Sequence, residues 1–107
     1  MAATYRDIVE KAIEKEKGVI GEEKAIKVAK DSQKIEVDSK GRVKNIIGDE
    51  KKAVDELVRK YQQFAGKIAA SMIAREIEDM DLSNIDLPDV LNDKISSSKA
   101  EEFASAF

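Results

Sequence analysis

Apolar residues recur at steps of three and four positions between Asp49 and Met80, and this spacing predicts one long helix. Asp49 follows Gly48 and is a good N-cap, and no proline interrupts the stretch. The apolar positions are Ala53, Leu57, Val58, Tyr61, Phe64, Ala65, Ile68, Ala69, Met72, Ile73, Ile77 and Met80. They form a wide face that must be buried, so we expect the rest of the chain to pack against this helix.

Two shorter helices are predicted before residue 33. Thr4 can cap a first helix, which should run to about Lys17. Gly18 and Gly21 then indicate a break, because glycine inside a helix costs about 1 kcal/mol relative to alanine. A second helix is expected over residues 22–32.

After residue 33 the hydrophobic period changes to two. Residues 34–37 and 42–46 alternate polar and apolar side chains around a turn that ends in Gly41. This pattern predicts a β-hairpin whose apolar face includes Ile35 and Val43. An isolated hairpin is marginal in water, so this one should pack on the helices or gain strands from another chain.

Together these elements predict a mostly α (α+β) fold with two short N-terminal helices, one β-hairpin, one long helix and short C-terminal helical turns. Residues 1–80 are expected to form a single helix-hairpin-helix domain, followed by an acidic C-terminal tail over residues 81–107. Pro88 suits the first turn of a short helix, and Ser98 with Glu101 forms a capping box for a last turn. The tail could lie across the long helix or remain loose in solution.

Composition narrows the class of protein. A chain of 107 residues is about one domain, and 42% hydrophobic with 38% charged residues is typical of a globular protein with long solvated faces. There is no run of 18 apolar residues and no signal-peptide core at the N-terminus, so we expect a soluble, cytoplasmic protein that does not enter a membrane.

The chain contains neither cysteine nor histidine. The chain therefore cannot form disulfides or zinc sites built on these residues. It also cannot supply the groups for Cys-His or Ser-His-Asp catalysis. The acidic run from Asp79 begins like a calcium loop but has Asn84 and Val90 where glycine and glutamate are required. We expect a protein that is not an enzyme and that needs no metal or cofactor.

Small residues four apart in the long helix, Gly66, Ala70 and Ala74, would let a second helix approach closely. We therefore expect a small interaction or regulatory protein that forms a homodimer through this helix, with the hairpin edge or the acidic tail free for a protein partner. The predicted dimer interface comprises Phe64, Ala65, Gly66, Ile68, Ala69, Ala70, Met72 and Ile73. The alternative is that these residues receive the chain's own first two helices.

Charge and aromatic residues suggest two further functions. Residues 24–44 hold seven basic and three acidic side chains, a net charge of +4, whereas residues 76–107 hold nine acidic and two basic, a net charge of −7. A basic surface for a polyanion could include Lys24, Lys27, Lys30, Lys40, Arg42 and Lys44. Nucleic acid is the less favoured ligand, because no aromatic residue lies among them to stack on bases. Tyr61, Phe64 and Met72 could instead line a pocket for a small apolar ligand, as in a helical sensor domain.

Overall fold

The structure is a computed structural model that describes residues 2–95. Its elements, in chain order, are α1 (Tyr5–Ile20), α2 (Glu22–Asp31), β1 (Ile35–Val37), β2 (Val43–Ile46), α3 (Glu50–Ala65) and α4 (Ile68–Ile77). Residues 89–95 form a further helix, α5, at the end of the described chain. The mostly α (α+β) class predicted from the sequence is confirmed.

Helix α1 begins with a complete capping box. The Thr4 hydroxyl accepts a hydrogen bond from the Asp7 amide at 3.2 Å, and the Asp7 carboxylate accepts one from the Thr4 amide at 2.9 Å. The predicted end near Lys17 is wrong, because the helix continues through Gly18 to Ile20. The chain turns only at Gly21, whose φ of 94° is accessible to glycine at low cost.

The hairpin is a two-stranded antiparallel sheet with Ile35 opposite Ile46 and Val37 opposite Val43, and its register shifts between Glu36 and Val37. Ile35 and Val43 are buried, which confirms the predicted apolar face. At Gly41, with φ of 86°, a Cβ atom would lie 3.1 Å from Ile26 and 3.2 Å from Ile13. The hairpin therefore packs closely on the N-terminal helices, and glycine is required at its turn.

The single helix predicted over residues 49–80 is wrong. Helix α3 ends at Ala65, Gly66 takes a φ of 81°, and α4 begins at Ile68. The Gly66 amide donates to the Gln62 carbonyl at 2.8 Å, which satisfies one carbonyl at the end of α3. Because glycine enters this conformation at low cost, the chain can bend here and pack α4 against both α1 and α3.

Helix α1 lies at the centre of the fold and packs against α2, α3, α4 and β2. Its buried face contributes Ile8, Val9, Ala12 and Ile13 to the core. The core is completed by apolar residues of the surrounding helices, among them Ala25, Val28, Ala29, Val54, Leu57, Val58, Tyr61, Ala69, Ala70, Ile73 and Ile77. The hydrophobic face of α3 and α4 is thus covered largely by the chain's own N-terminal half.

Residues 81–95, the first part of the predicted acidic tail, pack against this core. The Ala3 amide donates to the Asp81 carbonyl at 2.8 Å, and Lys51 pairs with Asp86 at 3.1 Å. Leu91 and Ile95 of α5 are buried. The predicted capping box at Ser98 and Glu101 lies outside the described residues. No helix within residues 2–95 is long and apolar enough to cross a membrane.

Candidate interaction surface

Three large apolar side chains are exposed where α1 ends and where α3 passes into α4. Val19 is 39% exposed, Phe64 52% and Ile68 61%. The Nζ atom of Lys24, near the start of α2, lies 5.1 Å from the centre of the Phe64 ring. The junction of α1 and α2 therefore lies beside the C-terminal end of α3. We call Val19, Phe64 and Ile68 the corner surface.

Charges of both signs lie near the corner surface, because Glu22 and Glu23 line a depression together with Lys24. The Lys24 ammonium above Phe64 forms a cation–π contact, which at an exposed site is worth about 0.5–1 kcal/mol. Lys67 is exposed between Phe64 and Ile68 in sequence. An apolar contact at the corner surface would therefore have Lys24 and Lys67 beside it. Neither lysine belongs to an ion pair found within residues 2–95.

The structure separates the predicted dimer interface into two groups. Ala69, Ala70 and Ile73 are fully buried in the core of a single chain, because α4 packs on α1. Phe64, Gly66 and Ile68 are exposed, and Ala65 and Met72 are half-buried. Ala70 and Ala74 of the small-residue track are thus buried within one chain, and the accessible part of the predicted interface is centred on the break at Gly66.

Val19 belongs to the corner surface, although sequence reasoning did not include it. Its position between Gly18 and Gly21 predicts a break in the helix, whereas α1 continues through Val19 to Ile20. The signal available in the sequence was an apolar pair, Val19 and Ile20, between two glycines.

The predicted basic surface is formed only in part. Lys27 and Lys30 on α2 and Ser39 in the hairpin turn line one depression of about 360 Å³, which places the lysines beside the hairpin. Glu22 and Glu23 line the same depression and reduce its positive potential. Lys24 faces Phe64 instead.

The cations of the hairpin lie in its turn and on β2. Lys40, Arg42 and Lys44 are all exposed. The backbone carbonyls of Lys40 and Lys44 accept hydrogen bonds from Lys17 at 2.9 Å and Arg6 at 3.2 Å, so further positive charge from α1 lies beside the hairpin. Hydrogen bonds from the Arg42 and Lys40 amides hold the pKa of Asp38 below its usual value.

The three residues of the predicted ligand pocket lie in different environments. Tyr61 is fully buried and donates its hydroxyl hydrogen to the Ala25 carbonyl at 2.7 Å. Phe64 is exposed and Met72 is half-buried. Tyr61 therefore fills part of the core rather than the wall of an open pocket.

Glu16 is a buried acid that sequence reasoning missed. It lies on the core face of α1, three residues after Ile13, and it is fully buried with no hydrogen-bond partner for either carboxylate oxygen. Burial raises the pKa of Glu16, and the charge of Lys15 opposes this rise. Burial and the charge of Glu16 together raise the pKa of Tyr61.

No protein-family model matches the chain, and no significant match was found among curated proteins or solved structures. Within residues 2–95 there is also no group of three or more acidic side chains placed to hold a metal ion.

Proposed function

We propose that this chain is a small, non-enzymatic interaction protein that forms a homodimer through the corner surface. The observation that carries the proposal is the exposure of Phe64 and Ile68 on either side of Gly66, since most other large apolar side chains within residues 2–95 are buried. This revises the dimer predicted from the sequence, because the contact involves the turn between two helices instead of one continuous helix.

A second copy is the partner that we propose. A two-fold contact places the same surface on both subunits, so Phe64 of each chain could pack on Ile68 of the other. Burial of a large apolar side chain contributes about 1.5–3 kcal/mol, and such a dimer would bury at least two from each chain. Acidic side chains over residues 76–95 could also meet the cations beside the corner of the other subunit.

Charged substitutions with a matched control test this proposal. Ile68→Glu places a carboxylate at the most exposed apolar position of the corner surface and should yield a monomer by sedimentation. Ile47→Glu is the control, because Ile47 is 45% exposed but lies before α3, at the other end of that helix. The Ile47 variant should remain a dimer, and both variants should keep the helical circular dichroism of the wild type.

Two results would overturn the proposal. One is a wild-type protein that sediments as a monomer. The other is a dimer of Ile68→Glu with the same dissociation constant as the wild type, which would place the contact elsewhere.

A second candidate function is weak polyanion binding by the surface around Lys27, Lys30 and the hairpin turn. The depression that α2 and the hairpin turn share supports it, because Lys27 and Lys30 of α2 both line it. A retardation assay with a polyanion at low and moderate salt tests this function. Binding that weakens with salt and is lost in a Lys27→Glu/Lys30→Glu variant is expected, and absence of binding even at low salt contradicts it.

A further inference from the structure

A depression at the junction of α1 and α2 adjoins the corner surface. Its volume is about 580 Å³, and the half-buried side chain of Ile20 forms part of its lining. Val19 of the corner surface comes directly before Ile20 in α1. Lys24 also lines the depression, and its ammonium lies over the ring of Phe64. The depression and the exposed apolar side chains of the corner surface are therefore neighbouring parts of one area.

This depression contains two carboxylates without an ion pair. Glu22 and Glu23 line it and are exposed, and neither belongs to an ion pair found within residues 2–95. Lys27 also lines the depression and offsets part of their charge, but it forms no ion pair with them. Both carboxylates are thus available to a cation from a second molecule.

The start of α4, just after the break at Gly66, is positive. Lys67 is exposed there, and the first turn of α4 contains no acidic residue. The N-terminal amides of the helix add to this positive potential, because the helix dipole has its positive end at that turn. Ile68 follows Lys67 and is 61% exposed. A cation and an exposed apolar side chain are therefore adjacent at the start of α4.

We propose that reciprocal ion pairs fix the register of the homodimer, with Lys67 of each subunit bound to Glu22 or Glu23 of the other. In this arrangement Ile68 enters the depression of the partner subunit. The inference rests on the proposed dimer and names the contacts made by that same surface. A two-fold axis close to Phe64 would place the start of α4 of each subunit on the α1–α2 junction of the other.

Charge complementarity makes a second copy the occupant that fits this depression. Each chain carries the negative and the positive half of the contact beside one apolar area, so a two-fold arrangement satisfies both halves at once. Exposed ion pairs are individually weak, because water and salt screen them. Their effect is to disfavour other registers, in which like charges would face each other.

Sedimentation of charge-reversal variants at low salt tests this register. Lys67→Glu should raise the dissociation constant of the dimer about tenfold, because both contacts become repulsive. Glu22→Lys/Glu23→Lys should have the same effect for the same reason. An equimolar mixture of the two variants should form a heterodimer with a dissociation constant close to that of the wild type, since each of its contacts again joins opposite charges.

Two further variants control for unfolding and for net charge. Lys44→Glu makes the same change in charge on β2, beside Arg6 at the start of α1 instead of its end, and should leave assembly unchanged. Glu22→Gln/Glu23→Gln removes the acids without adding cations at the start of α2, and should weaken the dimer by a smaller factor than the double lysine variant. Circular dichroism of each variant should match the wild type.

Failure of the ion pairs can be distinguished from failure of the dimer. If the wild type dimerises and Ile68→Glu does not, while Lys67→Glu assembles like the wild type, the dimer stands and the ion pairs are wrong. Two weakened variants whose mixture assembles no better than either alone would also contradict the ion pairs. A wild type that sediments as a monomer overturns both proposals.

Discussion

The hydroxyl of Tyr61 on α3 donates a buried hydrogen bond of 2.7 Å to the carbonyl of Ala25 on α2, across 36 positions of sequence. Its ring fills the core between the N-terminal and C-terminal halves of the chain. One side chain thus combines apolar packing with a polar tie between two helices. The stability of α2 should depend on both properties, and they can be separated by substitution.

Tyr61→Phe should lower the free energy of unfolding by about 1 kcal/mol, because it keeps the ring and removes one buried hydrogen bond. Tyr61→Ala should cost about 3–5 kcal/mol, since it also leaves a cavity. Urea denaturation of both variants measures these values. Equal losses in the two variants would show that the ring contributes nothing beyond its hydroxyl.

Two glycines provide a matched pair that tests the break in the predicted long helix. Gly66 has a φ of 81°, and Gly66→Ala should lower the free energy of unfolding by about 1 kcal/mol. Gly18 lies inside α1 with no atom within 4 Å of a Cβ position, so Gly18→Ala should raise it by about 0.5–1 kcal/mol. Thermal unfolding measures both, and stabilisation by Gly66→Ala would indicate that α3 and α4 form one helix.

Glu16→Gln should change how stability depends on pH. Burial raises the pKa of Glu16 in the folded state, so the folded protein retains a proton that the unfolded chain loses as the pH rises. The wild type should therefore be most stable on the acid side of this window and lose about 1.4 kcal/mol per unit of pKa difference as the pH rises through it. Glu16→Gln should lack this loss. Denaturation at pH 4 and pH 7 checks it, and a variant that loses as much stability as the wild type between these two pH values would contradict the prediction.

The cap of α3 should make a measurable contribution. The Asp49 carboxylate accepts a hydrogen bond from the Lys52 amide at 3.2 Å at the first turn of α3. Asp49→Ala should lower the free energy of unfolding by about 1 kcal/mol, whereas Asp49→Asn should restore most of it, because asparagine also accepts this bond. Urea denaturation distinguishes the two variants, and equal effects would mean that the cap is not formed in solution.

Local signals were enough to predict most of the fold. Three local patterns predicted elements that the structure contains. They are the capping residues Thr4 and Asp49, the alternation around Gly41 and the helical spacing of apolar residues. The prediction of one long helix was wrong because the spacing of apolar residues continues almost unchanged from α3 into α4. Such spacing does not distinguish one helix from two consecutive helices. At Gly66, packing of α4 against α1 decides the outcome.

The buried acid and the corner surface were harder to predict, for a different reason. Whether Glu16 faces solvent depends on how much of α1 is covered by α2, α3 and α4. The apolar pattern of α1 alone does not predict this coverage. In the same way, Ile68 and Ile73 occur in one apolar pattern, but only Ile73 is buried. Exposure is a property of the assembled helices, so these residues became distinguishable only in the fold.

Light scattering of the purified wild-type protein over a range of concentrations tests the proposed dimer most directly. We expect a molar mass that rises with concentration toward twice the 11.9 kDa of one chain. A mass of 11.9 kDa at every concentration, up to the millimolar range, would contradict the central claim that the corner surface joins two copies.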